Sequence, residues 1–125
     1  MHDIDLTKIL IDVALKSNMI HKHGCVILHR NKIISTGYNY YKISNGTIYK
    51  NIYGDYQPNR YSIHAEKNAI QKIKNKNLLK ECKIYIIRIK KSDDNISYGL
   101  EQGVPCNMCN NLLKKYNLTK IINLL

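Results

Sequence analysis

Lys83-Ile84-Tyr85-Ile86-Ile87-Arg88-Ile89 is dense in β-branched residues, and a run of this kind predicts a central strand. The stretches on either side of it are helical in pattern. From His64 to about Lys74, Ala65, Ala69, Ile70 and Ile73 fall on one side. Pro105 opens a second helix through about Tyr116, with Leu112 and Leu113 facing inward, since proline suits a helix start. Further out, Cys25-Val26-Ile27-Leu28 and Ile33-Ile34-Ser35-Thr36-Gly37-Tyr38 flank the polar pair Asn31-Lys32, which predicts an antiparallel hairpin. Leu6, Ile9, Leu10, Val13 and Ala14 share a stripe that predicts a helix over about residues 5–18, with Asp3 or Asp5 as its N-cap. Ile121-Ile122 with Leu124-Leu125 supply a last strand. The order is α-β-β-α-β-α-β, an α/β chain with helices packed on a mixed sheet. Residues 39–61, rich in Tyr, Asn and Gly, read as a long ordered loop, and 91–104 as a polar connection. No linker divides the chain, so residues 1–125 are expected to form one domain.

The composition agrees with a globular chain. Its 125 residues are 44% hydrophobic and 23% charged, which argues against wholesale disorder. No apolar run approaches the roughly 18 residues of a membrane span, and Asp3, Asp5 and Asp12 do not suit a secretion signal. Twenty basic against nine acidic residues give a net charge of +11, which fits anionic partners, RNA or single-stranded DNA among them. Seventeen of the twenty are Lys, however, and base readers and phosphate clamps favour Arg. Abundant Ile, Asn, Lys and Tyr share A/T-rich codons, which accounts for much of the Lys without a nucleic-acid partner. Four cysteines, unevenly placed, do not make a disulfide framework; a Cys-x-x-Cys pair here suggests a reducing, cytoplasmic setting with metal or redox chemistry.

That chemistry divides between two helix starts. His64-Ala65-Glu66 opens one, and Pro105-Cys106-Asn107-Met108-Cys109 the other. Zinc takes four tetrahedral ligands from imidazole and thiolate, and a catalytic site leaves one position for water. Cys106 and Cys109, three apart, project from one helix face, and His64 completes a three-ligand set. Glu66, two residues past the histidine, is spaced to reach the water without binding the metal, as a general acid/base requires. Two other readings stay open at this level. One is a structural zinc site whose fourth ligand is Cys25, Cys82, His21 or His23; the other is a redox-active Cys pair. Cys25 and Cys82 otherwise read as buried small hydrophobes, and His21 and His23 as a solvated or phosphate-contacting turn. The tyrosines from Tyr38 to Tyr61 read equally well as loop packing or as stacking surfaces for a base.

The combination of His-x-Glu with a later Pro-Cys-x-x-Cys resembles the zinc-dependent nucleobase deaminases, specifically the cytidine and deoxycytidylate deaminase superfamily. The resemblance covers nearly the whole chain. His23 through Leu28 and Ile33 through Asn39 look like the family's first hairpin, which ends in Gly37-Tyr38-Asn39. His64-Ala65-Glu66-Lys67-Asn68-Ala69-Ile70 and Pro105-Cys106-Asn107-Met108-Cys109 are similar to the deoxycytidylate type. It implies a three-layer α-β-α deaminase-like fold with Zn2+ bound by His64, Cys106 and Cys109 at two helix N-termini, and Glu66 as general acid/base. It also implies substrate contacts from Asn39 to the sugar and from Ala65 and the Pro105–Cys106 region to the base. The substrate so implied is a free cytosine nucleotide or nucleoside, deoxycytidylate first, and the protein a homo-oligomer. Three departures stand out. Tyr40-Tyr41-Lys42 replaces the Gly-x-Pro turn common after Gly-Tyr-Asn, the fourth predicted strand is the last, and Val104 is bulky for its place before Pro105.

Overall fold

In the computed structural model, which describes residues 3–50, 56–91 and 98–122, helix α1 (Asp3–Ala14) leads into the hairpin β1 (Lys22–His29) and β2 (Lys32–Tyr38). Next come β3 (Tyr40–Lys50), β4 (Tyr56–Ile63), α2 (Ala65–Gln71) and a 3-10 segment, Lys76–Glu81. The chain continues through β5 (Cys82–Lys91), β6 (Tyr98–Gln102), α3 (Asn107–Lys115) and β7 (Lys120–Ile122). The main sheet runs β2-β1-β5-β6, antiparallel throughout, and β7 adds to β5 in parallel. Strand β5 thus shares its second edge, giving Ile87–Lys91 to β6 and Lys83–Tyr85 to β7. The sheet is mixed, as the sequence predicts.

Alternation along β1 and β5 makes the layers. Val26, Leu28, Ile87 and Ile89 point to one face and enclose Leu6, Leu10 and Ala14 of α1. Cys25, Ile27, Ile84 and Ile86 point to the other, against Ala65, Ala69 and Ile70 of α2 and Leu113 of α3. A strand covered on both faces reads as a continuous apolar run, which is why residues 83–89 announce themselves. At roughly 1.5–3 kcal/mol for each fully buried large aliphatic side chain, these two clusters dominate the stability of the fold. The α-β-α sandwich is therefore present.

Several expectations need correction. The long loop over 39–61 contains instead the two strands β3 and β4, paired in a separate antiparallel ribbon from Tyr40↔Ile63 to Lys50↔Tyr56, around residues that lie outside the description. No period-two apolar pattern marks this ribbon, so its composition resembles that of a loop. The polar connection over 91–104 likewise contains a strand, β6, paired with β5 from Ile87↔Gln102 to Lys91↔Tyr98, which its short, mostly polar sequence does not announce. The hairpin turn lies at Arg30 and Asn31, with φ of 51° and 64°, one residue before the expected pair. Helix α1 begins at Asp3, so Asp5 lies inside it rather than capping it, and α2 stops at Gln71. Leu124 and Leu125, expected in the last strand, lie outside the described residues.

One glycine fixes how closely α2 approaches the sheet. A Cβ on Gly37 would lie 2.2 Å from the Ala65 carbonyl oxygen and 2.6 Å from the Ala69 nitrogen, both backbone atoms. Ser35 Oγ donates to the Ala69 carbonyl at 2.6 Å, and the Tyr38 N–H donates to Asn68 Oδ1 at 3.1 Å, so β2 and α2 are tied on both sides of this contact. Gly37→Ala is expected to push α2 away and destabilise the protein by about 3 kcal/mol. The check is the denaturation midpoint, and a shift within error of wild type would contradict the close contact.

Candidate zinc and active site

The structure places His64 and Cys106 at the N-caps of α2 and α3. His64 is extended (φ −78°, ψ 152°) and makes no side-chain cap, which leaves its imidazole free to turn toward α3. Cys106 is also extended (φ −69°, ψ 170°), and its sulfur accepts from the Cys109 N–H at 3.5 Å. Here the structure departs from the expected start at Pro105. The helix proper opens at Asn107, and Pro105 lies one residue ahead of the cap. Cys109 falls in the first turn, on the same side as Cys106.

The three side chains meet. His64 Nδ1 lies 3.4 Å from Cys106 Sγ and 3.2 Å from Cys109 Sγ, and all three candidate ligand atoms lie within 4.8 Å of one another. A tetrahedral zinc with bonds of about 2.0 Å to nitrogen and 2.3 Å to sulfur would hold such a pair about 3.5 Å apart. One borderline nitrogen and two soft sulfurs are a donor set that zinc favours, and the cluster fits Zn2+. Cys106 and Cys109 sit at the N-terminus of α3, whose partial positive charge would favour their thiolate forms once a metal is bound. Cys25, Cys82, His21 and His23 do not join the group among the described residues, so the set stops at three protein ligands.

Glu66 follows in the first turn of α2, 4% exposed. It borders a cleft of about 270 Å³ together with His64, Ala65 and Cys106, just below the usual range for small-molecule sites. Met19, His21, His23, Asn39, Ser62 and Val104 form the rest of the lining. Of these, Met19 and Ser62 carry no sequence signal, because nothing local shows that the segment before β1 and the end of β4 converge. Pro105, half-buried, is not among the lining residues; its neighbours Val104 and Cys106 take that place. No tyrosine lines the cleft among the described residues. Tyr38 and Tyr40 instead pack on each other with ring centroids 5.7 Å apart.

Asn39 is buried at the β2–β3 junction. Its Oδ1 accepts from the His23 N–H at 2.8 Å, and its Nδ2 donates to the His21 carbonyl at 2.7 Å. The side chain thereby pins the entry of β1 to the end of β2, which fixes the wall that His21 and His23 present to the cleft.

Burial pushes the Cys109 thiol far up, with the Glu66 carboxylate, to which it hydrogen-bonds, adding to the effect. Cys25, enclosed beneath the site, is raised by burial and then by Glu66 and Cys109. Burial, then Arg88, His64 and His21, push His23 down. For both thiols the folded, metal-free chain keeps protons that the unfolded chain sheds above the ordinary value of 9.0. The unfolded state then binds fewer protons, so stability falls as pH rises past that value. Urea denaturation with a chelator present is expected to show a lower midpoint at about pH 10 than at about pH 8, and excess zinc is expected to remove the share of Cys109. A midpoint that rises over this window would contradict the burial of these thiols.

Residues 2–125 match the family described as the cytidine and deoxycytidylate deaminase zinc-binding region. The chain belongs to this family. No curated protein and no solved structure matches it. Membership makes it a zinc-binding deaminase of the cytidine type, and the geometry agrees, with an imidazole and two thiols converging at helix starts. No described helix of this deaminase is long and apolar enough to cross a membrane.

Proposed function

We propose that the protein is a zinc-dependent hydrolytic deaminase that converts a free cytosine nucleotide or nucleoside, deoxycytidylate first, to the uracil form with release of ammonia. The observation that carries this reading is a buried carboxylate, Glu66, on the same small cleft as His64 and Cys106, two of the three clustered ligands. Zinc held by His64, Cys106 and Cys109 would supply the Lewis acidity that makes water a nucleophile near neutral pH. Glu66 takes a proton from the attacking water and delivers it to N3 of the ring, then takes a second from the new C4 hydroxyl and passes it to the departing amine. The C4–O bond forms as the N3=C4 double bond opens, and the exocyclic C4–N bond breaks as the C4 carbonyl forms, so water is consumed and ammonia leaves. Ala65 and the chain around Cys106 bound the space for the base, and Asn39 retains an amide hydrogen and a lone pair for the sugar.

The net charge of +11 favours a second reading, deamination of a base within RNA or single-stranded DNA. A screen of ammonia release separates the two. Cytidine, deoxycytidine, their monophosphates, adenosine, guanine and a short RNA hairpin would each be offered to the zinc-loaded protein. Turnover of a cytosine mononucleotide or nucleoside is the expected result. Release from the hairpin alone would replace the first reading with the second.

A further inference from the structure

Two imidazoles that the zinc chemistry does not use, His21 and His23, line the cleft, and Arg88 stands beside both. Arg88 is the register partner of His23 on one side and of Glu101 on the other, so it lies in the middle of a polar row crossing β1, β5 and β6. Its Nη2 is 3.0 Å from His21 Nδ1. A guanidinium only donates, so Nδ1 accepts and the ring hydrogen sits on Nε2. His21 therefore offers a fixed N–H donor. The clamp of Asn39 on the His21 carbonyl and the His23 N–H holds the backbone that carries both rings.

The charge behind this donor is poorly compensated. Glu101 reaches Arg88 Nη1 at only 3.9 Å, is itself partly exposed, and is shared with Lys90 at 3.8 Å. An ion pair this loose neutralises little. Arg88 Nε is buried without a hydrogen-bond partner among the described residues, so the head group is not engaged by a carboxylate there either. No Lys or Arg lines the cleft itself among the described residues, and Arg88 meets its wall through His21. An anionic substrate entering beside the Glu66 carboxylate needs such a cation. A directed N–H backed by a guanidinium is the chemistry that recognises phosphate oxygens.

We propose that His21, oriented by Arg88, contacts the phosphate of the substrate, so that the site selects a nucleoside monophosphate over the nucleoside. This rests on the deaminase reading above; His21 is then a specificity residue and Arg88 a positioning residue. A merely structural Arg88 would affect both members of a nucleoside–nucleotide pair alike.

The test compares zinc-loaded wild type, Arg88→Ala, Arg88→Lys and His21→Ala on paired nucleosides and 5′-monophosphates of cytosine, adenine and guanine. In parallel, calorimetry measures binding of the same pairs to the Glu66→Gln protein with and without Arg88→Ala. Wild type is expected to prefer the monophosphate. Arg88→Ala and His21→Ala are expected to lower the monophosphate-to-nucleoside ratio of kcat/KM by about tenfold to a hundredfold, the worth of a charge-assisted hydrogen bond. The change should fall mainly in KM, with Arg88→Lys restoring part of it. An unchanged ratio overturns the proposal, and so does a short single-stranded RNA that outcompetes every mononucleotide. Turnover of a purine pair alone would correct the base while the ratio still decides the phosphate. If nothing is turned over, the deaminase reading fails and the binding ratio decides alone; failure to bind any monophosphate overturns both.

Discussion

Replacing Glu66 with Gln is expected to slow ammonia release by about a thousandfold, within the range for removal of a positioned general acid/base. The substitution keeps the shape of the side chain and removes only its capacity to carry protons. Glu66 is buried at the start of α2 and is not one of the three clustered ligands, so the purified variant should still carry zinc. Its denaturation midpoint should not fall, because an uncharged amide is easier to bury than a carboxylate. Rapid quench with saturating substrate and elemental analysis of the same preparation make the comparison. Wild-type ammonia release from a zinc-replete variant would remove Glu66 from the reaction. Loss of zinc would instead make the carboxylate part of the metal's hold.

The opposite pattern is expected for His64→Ala and Cys106→Ala. Each removes one of three protein ligands, and metal content should fall from about one equivalent toward zero, with activity following it. Zinc that binds only the native state adds about 4 kcal/mol when free metal is a thousandfold above its dissociation constant. A chelator should therefore lower the melting temperature of wild type but leave that of the two variants unmoved. Cys109→Ala should behave alike, with an added packing loss, since Cys109 is buried while Cys106 is exposed. Full zinc occupancy in any of the three would mean that another group takes the vacated position.

The zinc cluster was the most legible part of the molecule. Ligand chemistry restricts the residue types, and a three-residue spacing at a helix start restricts their direction, so His64, Cys106 and Cys109 could be named without coordinates. The two covered strands, β1 and β5, were legible because burial on both faces leaves an unbroken apolar run. The ribbon of β3 and β4 was not, because its pairing is a matter of backbone hydrogen bonds that any polar sequence can make. The same holds for β6. At the cleft, the line between legible and hidden follows sequence distance. Glu66 and Ala65 travel with His64, whereas Met19 before β1, Ser62 at the end of β4 and Arg88 on β5 come near the site only through the fold of segments far apart in the chain. Around Pro105 a motif gives the neighbourhood, but only the fold shows that Val104 and Cys106 border the cleft.

Cys106 lies 42 residues beyond His64, and between them run α2, the 3-10 segment and the two strands β5 and β6. An ion grasped from both ends ties this length of chain into a ring. By analogy with a disulfide across a loop of that size, the tie would restrict the unfolded ensemble by at most about 4 kcal/mol. Strand pairing with β1 already limits the same segment, so the realised share is smaller. Unlike a disulfide, this staple is undone by a chelator and remade by adding metal, without a reductant. Zinc supply would then govern how readily a protease can open the middle of the chain, independently of whether any substrate is present.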